Sequence, residues 1–348
     1  RSYSVTGVQT CALPILERPV IAMTLGDPAG IGPEIVVKAL MEKDCFEASR
    51  PLVYGDASIV EKAAARFTPS AVVRMVHRAG EAQGRPGVID VVDVKSMGSS
   101  GLVPGAVSAQ CGKAAFTYIE AAVKDALAGD VGGIATAPIN KEAIQAAKVP
   151  FIGHTEMLAG LCGIDDPLTM FETLGLRVFF LSRHVSLRKA CDMVTRERLL
   201  DYLERCHAAL ERLGLGGGTI AVAGLNPHCG EHGLFGDEEG REVEPAIAAA
   251  RAKGLAVAGP IGADSVFHQA KIGRYAAVLS LYHDQGHVAT KTLDFDRTIS
   301  LTIGLPFLRT SVDHGTAFDI AWSGKASHVS MAESVRVAAK YAPLYRRT

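Results

Sequence analysis

Short apolar runs alternate along this chain with segments whose apolar residues recur at helical spacing. Pro19 to Leu25 (PVIAMTL) is an apolar run ending in Gly26-Asp27-Pro28, the pattern of a buried strand that enters a polar loop. Gly32-Pro33-Glu34 opens a helix predicted through Leu40. Its proline stands in the first turn, where a missing N–H costs nothing, and its acid lies near the positive end of the helix. Leu52 to Gly55 reads as a strand, Asp56 to Arg66 as a helix, Val88 to Val94 as a strand, and Ala106 to Ala128 as one long Ala-rich helix. Gly133 begins a strand that has become a polar loop by Asn140. Arg177 to Leu181, Thr219 to Ala223 and Tyr275 to Leu281 are further strands. Arg196 to Leu213 is an amphipathic helix, and a last helix begins near Ser330. Strands alternating with helices predict an α/β fold with largely parallel strands. Polar clusters fall just past the strand ends, where ligands sit in such sheets, which favours an enzyme over a structural module.

Composition fits an ordinary globular protein: 348 residues, 48% hydrophobic and 21% charged. At roughly 150 residues per domain, two domains are expected. A formal net charge of −1 argues against nucleic acid as the main partner. No run of about 18 uncharged apolar residues occurs, so no membrane span is expected. The seven cysteines, at 11, 45, 111, 162, 191, 206 and 229, form no CxxC pair and are odd in number. That usage points to reduced thiols and a cytoplasmic protein. The first seventeen residues, RSYSVTGVQTCALPILE, look foreign to the rest of the chain and lack the basic start and long apolar core of a secretory signal. Residues 1–17 are therefore read as a non-native leader, Cys11 is set aside with them, and a native start is expected near Arg18.

The candidate chemistry begins with three histidines. His184, His228 and His283 each follow an apolar strand by a few residues. Three neutral imidazoles with one open position make a catalytic metal site; zinc suits imidazole, and nickel, cobalt, manganese or magnesium are alternatives. A histidine at a strand end can also do no more than cap a loop. Gly153-His154-Thr155-Glu156 offers an imidazole and a hydroxyl for phosphate or carboxylate oxygens, or simply starts a helix. Asp284, Lys291 and Arg309 follow His283; the two cations would neutralise a small anionic substrate, Arg309 as a bidentate clamp. Ser311 to Ile320 (SVDHGTAFDI) mixes glycine, small and polar residues where a backbone must approach a ligand closely, though an ordinary surface loop has the same make-up. No GxGxxG follows a strand, and neither GxxxxGK[ST] nor GxSxG is present, so Rossmann, P-loop and serine-hydrolase sites have no support.

Five ordered motifs then resemble one family: MTLGDPAGIGPEI (23–35), GHTEML (153–158), GLNPHCGEHGLFGDEE (224–239), YHDQGH (282–287) and TSVDHGTAFDIA (310–321). Together they look like 4-hydroxythreonine-4-phosphate dehydrogenase and its relatives, over residues 20 to the C-terminus. The resemblance implies metal-dependent, NAD-linked oxidation of a secondary alcohol, after which the β-keto acid loses carbon dioxide. It implies the two-domain α/β/α fold of isocitrate and isopropylmalate dehydrogenases with a cleft between domains: residues 18–133 plus 309–348 on the cofactor side, and 134–308 on the metal and dimer side. It implies His184, His228 and His283 as ligands of one divalent metal, shared across a homodimer interface. Substrate contacts carry over to His154, Thr155, Asp264, Lys291 and Arg309. NAD contacts carry over to His314, Gly315, Thr316, Ala317, Asp319 and Ile320, in place of a Rossmann fingerprint. Lys291 and Asp284 are the candidates for proton transfer. One position departs: where the biosynthetic enzyme has Asn, this chain has Ser300, which lacks the amide donor. Relatives acting on threonate or erythronate 4-phosphate, or on a carboxylated cyclohexadiene cis-diol made from terephthalate, are therefore alternatives for the substrate. A metal-binding dimer that senses an acidic metabolite is the non-enzymatic alternative.

Overall fold

Twelve strands form one sheet in the computed structural model, which describes residues 18–97 and 101–345. The leader 1–17, with Cys11, lies outside the described residues. In chain order the strands are β1 Val20–Thr24, β2 Arg50–Gly55, β3 Val72–Val76, β4 Val88–Asp93, β5 Gly133–Thr136, β6 Leu168–Thr173, β7 Leu176–Phe180, β8 Ile220–Ala223, β9 Val257–Ile261, β10 Ala277–Ser280, β11 Ile299–Ile303 and β12 Leu308–Ser311. The spatial order is β3-β4-β2-β1-β5-β12-β11-β6-β7-β10-β8-β9. The six strands from β3 to β12 run parallel, as do the four from β7 to β9. Between them every pairing, β12 with β11, β11 with β6 and β6 with β7, is antiparallel. Three reversals leave the two parallel blocks running in opposite senses.

The expected α/β alternation is present, and β1, β2, β4, β5, β7, β8 and β10 lie where the apolar runs place them. Five strands have no counterpart in that pattern: β3, β6, β9, β11 and β12. Sheet parity explains the core. Ile21 and Met23 join a cluster on one face with helices Gly32–Ala39, Ala57–Phe67 and Val329–Tyr341, whereas Ala22 and Val20 face Ala109–Ala128 on the other. The far block repeats this, with Phe179 and Val222 against Arg196–Arg212 and Phe180 and Ala221 against Ala263–Lys271. Helices thus cover both faces. The boundaries expected at 133/134 and 308/309 fall inside β5 and β12, because β12 pairs with both β5 and β11 and stitches the two blocks into one sheet. The cysteines at 45, 111, 162, 191, 206 and 229 are free thiols. Among the described residues no helix is long and apolar enough to cross a membrane.

Candidate active site

Residues that follow β5, β7, β10 and β12 meet at one cavity. The helix His283–Leu293 leaves the end of β10 and packs over β6 and β7, carrying Lys291 to the loop after β12. It roofs this cavity of about 520 Å3, lined by Lys141, His154, His184, His283, His287, Lys291, Ser311 and residues 312–315. Gly286 lets this helix sit low: a Cβ there would stand 2.5 Å from Phe180 and 2.8 Å from the Ser280 hydroxyl.

Ser311, at the cavity wall, belongs to the polar face of β5, β12 and β11. Thr136, Ser311, Arg309, Thr302 and Ser300 share it, since Ser300 is in register with Ser311 and Thr302 with Arg309. Arg309 is 4% exposed, and its guanidinium donates to Thr136 Oγ1 (2.8 and 3.1 Å) and Thr302 Oγ1 (3.1 Å). Among the described residues no carboxylate bonds it; burial lowers its pKa to about 9 against the pull of Asp313 and Glu156. His154 stands close enough to feel that charge, and its buried Nε2 has no hydrogen-bond partner. Burial first, and Arg309 second, push its pKa well below the usual imidazole value. Thr155 is half-buried beside it in the first turn of helix His154–Cys162. Lys291 Nζ pairs with Asp313 (2.5 Å) at the cavity wall.

His184 and His283 come together, their ring centroids 5.8 Å apart. Asp284 Oδ1 lies 2.6 Å from His283 Nδ1 and fixes that ring nitrogen, leaving Nε2 available. Asp284 itself is largely exposed and does not line the cavity that Lys291 lines. Burial, then the charges of Arg183, His283 and Lys141, lower the pKa of His184, so its neutral form is favoured. Two imidazoles facing one space suit a divalent metal. His228 is not with them: among the described residues of one chain no group of three His, Cys, Asp or Glu side chains could hold a metal. It lies past the end of β8, in a loop whose residues 228–232 have φ of 52, 56, 78, 45 and 56°. Four of these are not glycine, and each such left-handed residue costs roughly 1–2 kcal/mol. Asp264 stands near that loop, within electrostatic reach of Cys229, rather than in the cavity.

In the loop after β12, His314 and Gly315 line the cavity, and a Cβ on Gly315 would meet nothing within 4 Å, so the backbone there is open to a close approach. Asp319 is exposed, and Ala317 and Ile320 are half-buried against the core. Thr316 departs from expectation: it is 7% exposed and packed against Gly30, with its carbonyl accepting from Ile31 N. Its carbonyl thereby ties the loop after β12 to the GDPAGIGPE loop. His287 is a site residue that the sequence reading misses. It stacks on His283 (3.7 Å, 11°), lies edge-on to Phe171, and burial lowers its pKa to about 4. Its i+4 spacing from His283 is the signal that could have found it. Thr136 and Thr302 give none, being single hydroxyls inside strands.

Residues 47–338 match the family described as pyridoxal phosphate biosynthetic protein PdxA. A relative from Clostridium botulinum, provisionally named D-threonate 4-phosphate dehydrogenase, is 56% identical over 333 residues, 96% of this chain and 100% of its own length. The crystal structure of 4-hydroxythreonine-4-phosphate dehydrogenase from Klebsiella pneumoniae is similar at 46% identity and a TM-score of 0.88, covering 93% of this chain and 98% of its own. A terephthalate 1,2-cis-dihydrodiol dehydrogenase from Burkholderia xenovorans LB400 is similar at 30% identity and a TM-score of 0.64, covering 92% and 98%.

Proposed function

The chain belongs to the pyridoxal phosphate biosynthetic protein PdxA family, and from that premise we propose that it is an NAD-linked, metal-dependent dehydrogenase of a small 4-phosphorylated hydroxy acid, D-threonate 4-phosphate before 4-hydroxythreonine 4-phosphate. One observation carries the reading: Arg309 is a buried guanidinium whose partners among the described residues are hydroxyls, and it stands near His154, whose buried Nε2 has no hydrogen-bond partner among them. A buried charge without a counter-ion is costly, and a phosphate or carboxylate oxygen completes it. The higher identity of the threonate relative, together with Ser300 in place of an amide, favours the threonate substrate.

His184 and His283 of one chain and His228 of the partner subunit hold the metal. Exposed apolar side chains flank all three, Val185 and Leu187, Val288, and Leu234 and Phe235, as a subunit contact requires. Asp264 approaches the substrate from the same partner face. A metal bound there would supply Lewis acidity toward the substrate hydroxyl, and a bound nicotinamide would serve as the hydride acceptor. The protein supplies the rest. His154, Thr155, Ser300 and Arg309 grip the anionic ends, and the loop at His314, Gly315, Ala317, Asp319 and Ile320 receives the cofactor. Asp284 orients His283. Lys291, held by Asp313, hands a proton to the carbon left by departing carbon dioxide.

The test is NADH formation with D-threonate 4-phosphate and with D-threonate. The phosphate-free acid should lose at least about a thousandfold in kcat/KM, because it leaves buried donors unpaired. Equal rates on both acids, or no NADH from any 4-phosphorylated hydroxy acid, would overturn the reading.

A further inference from the structure

We infer that Glu239 is a positioning residue that aims His228 by holding the left-handed turn in which it stands; the inference rests on the proposed metal role of His228. Glu239 is 2% exposed. Its Oε1 accepts from Leu225 N and Asn226 N, both at 2.7 Å, and its Oε2 accepts from Asn226 Nδ2 at 2.8 Å. Asn226 is the residue from which the turn springs: Cys229 N donates back to its carbonyl (3.1 Å), and a second Asn226 Nδ2 bond goes to Glu238 (2.7 Å). The contact is close-fitting as well. A Cβ on Gly230, inside the turn, would stand 3.1 Å from Glu239 Oε2, and one on Gly236 would stand 2.5 Å from Asn226 Nδ2.

Only an acceptor on both oxygens satisfies this set of donors. A glutamine at 239 must turn its amide either toward two backbone N–H groups or toward Asn226 Nδ2, so one donor faces another in either orientation. The unfavourable φ values of residues 228–232 then lose their anchor, and the backbone relaxes toward commoner conformations. The residue just before Leu225 and Asn226, Gly224, is fixed as well. Buried Gln285 accepts from Leu281 N (2.7 Å) and donates to Gly224 O (2.8 Å), tying the corner that carries His283 to the end of β8. Glu239 thus anchors the two residues between a fixed Gly224 and the Pro227-His228 step of the turn.

The experiment strips the full-length dimer of metal and titrates it with cobalt(II), followed by calorimetry and by the visible absorption of the bound ion. Wild type should bind one ion per chain. His228→Ala should lose that site, and Glu239→Gln should weaken it roughly 10- to 100-fold with an altered absorption spectrum, the usual scale for groups that orient ligands. The melting temperature and the dimer should persist in Glu239→Gln; should that variant fail to fold, Glu238→Gln, which disturbs one bond of the same Asn226 amide, should weaken binding to a smaller extent. Unaltered cobalt affinity and spectrum in a folded Glu239→Gln, or in Glu238→Gln where it stands in, beside a defective His228→Ala, would overturn the inference alone. Unaltered binding by His228→Ala would overturn the metal reading beneath it.

Discussion

Arg309 and Asp27 are both buried charges that the folded chain leaves short of partners, and they make opposite predictions. Arg309 answers to a ligand. Arg309→Met should raise KM for the phosphorylated acid roughly a hundredfold, the scale of a lost charge-assisted hydrogen bond, while the melting temperature holds or rises. Arg309→Lys should not restore the affinity, because a point charge lacks the planar fork. Steady-state kinetics and a thermal melt check both. Asp27 Oδ1 accepts from Ala29 N, but its Oδ2 has no partner, and burial raises its pKa from 3.8 to about 6. The folded state therefore holds this proton more tightly than the unfolded chain does. Its contribution to stability is full below 3.8 and is lost as pH rises through about 6. Asp27→Asn should stabilise the protein at pH 8 by on the order of 2 kcal/mol, with the gain gone near pH 4. Denaturant melts at the two pH values decide it. Arg309, His154 and the three histidines were legible as residue types in sequence. That Arg309 meets hydroxyls and no acid was not, since Thr136 and Thr302 are 173 and 7 positions away.

At the scale of elements, two of the strands that escaped the hydropathy pattern, β11 and β12, carry the polar face beside the site. β11 and β12 carry Ser300, Thr302, Arg309 and Ser311 on one face, so neither reads as an apolar run. β6 hides a buried Glu172, which bonds Lys340 and Tyr341 of the last helix, inside LTMFET. β3 is an edge strand with Val72 and Met75 exposed, and only its edge position explains its mixed pattern. The central parallel strands β1, β2, β5, β8 and β10, buried on both faces, were plain for the complementary reason. The helix His283–Leu293 is the element that joins the proposed metal ligand His283 to the proposed proton donor Lys291, and Gly286 sets its height. Gly286→Ala must push that helix off Phe180 and Ser280. It should cost roughly 1–3 kcal/mol, read as a lowered melting temperature, and should reduce kcat more than the loss of stability accounts for.

The whole molecule is a single sheet whose opposed halves bring His184 and His283 to one cavity and leave His228 facing outward. Spacing along the chain marked all three histidines as equivalent. It could not show that one chain assembles only two of them, because separation through space depends on the three antiparallel pairings at the centre of the sheet. The account therefore holds that a second copy of the chain completes the reactive centre. Mixing His184→Ala with His228→Ala subunits tests this directly. Each variant alone should be inactive. In a shared site, every mixed dimer contains one intact set of histidines and one doubly defective set. Refolding or exchanging the two variants in equal amounts should then restore about one quarter of wild-type NADH formation with D-threonate 4-phosphate, since half the dimers are mixed and each has one working site. A mixture as inactive as its components, with mixed dimers demonstrated, would contradict a centre built from two chains.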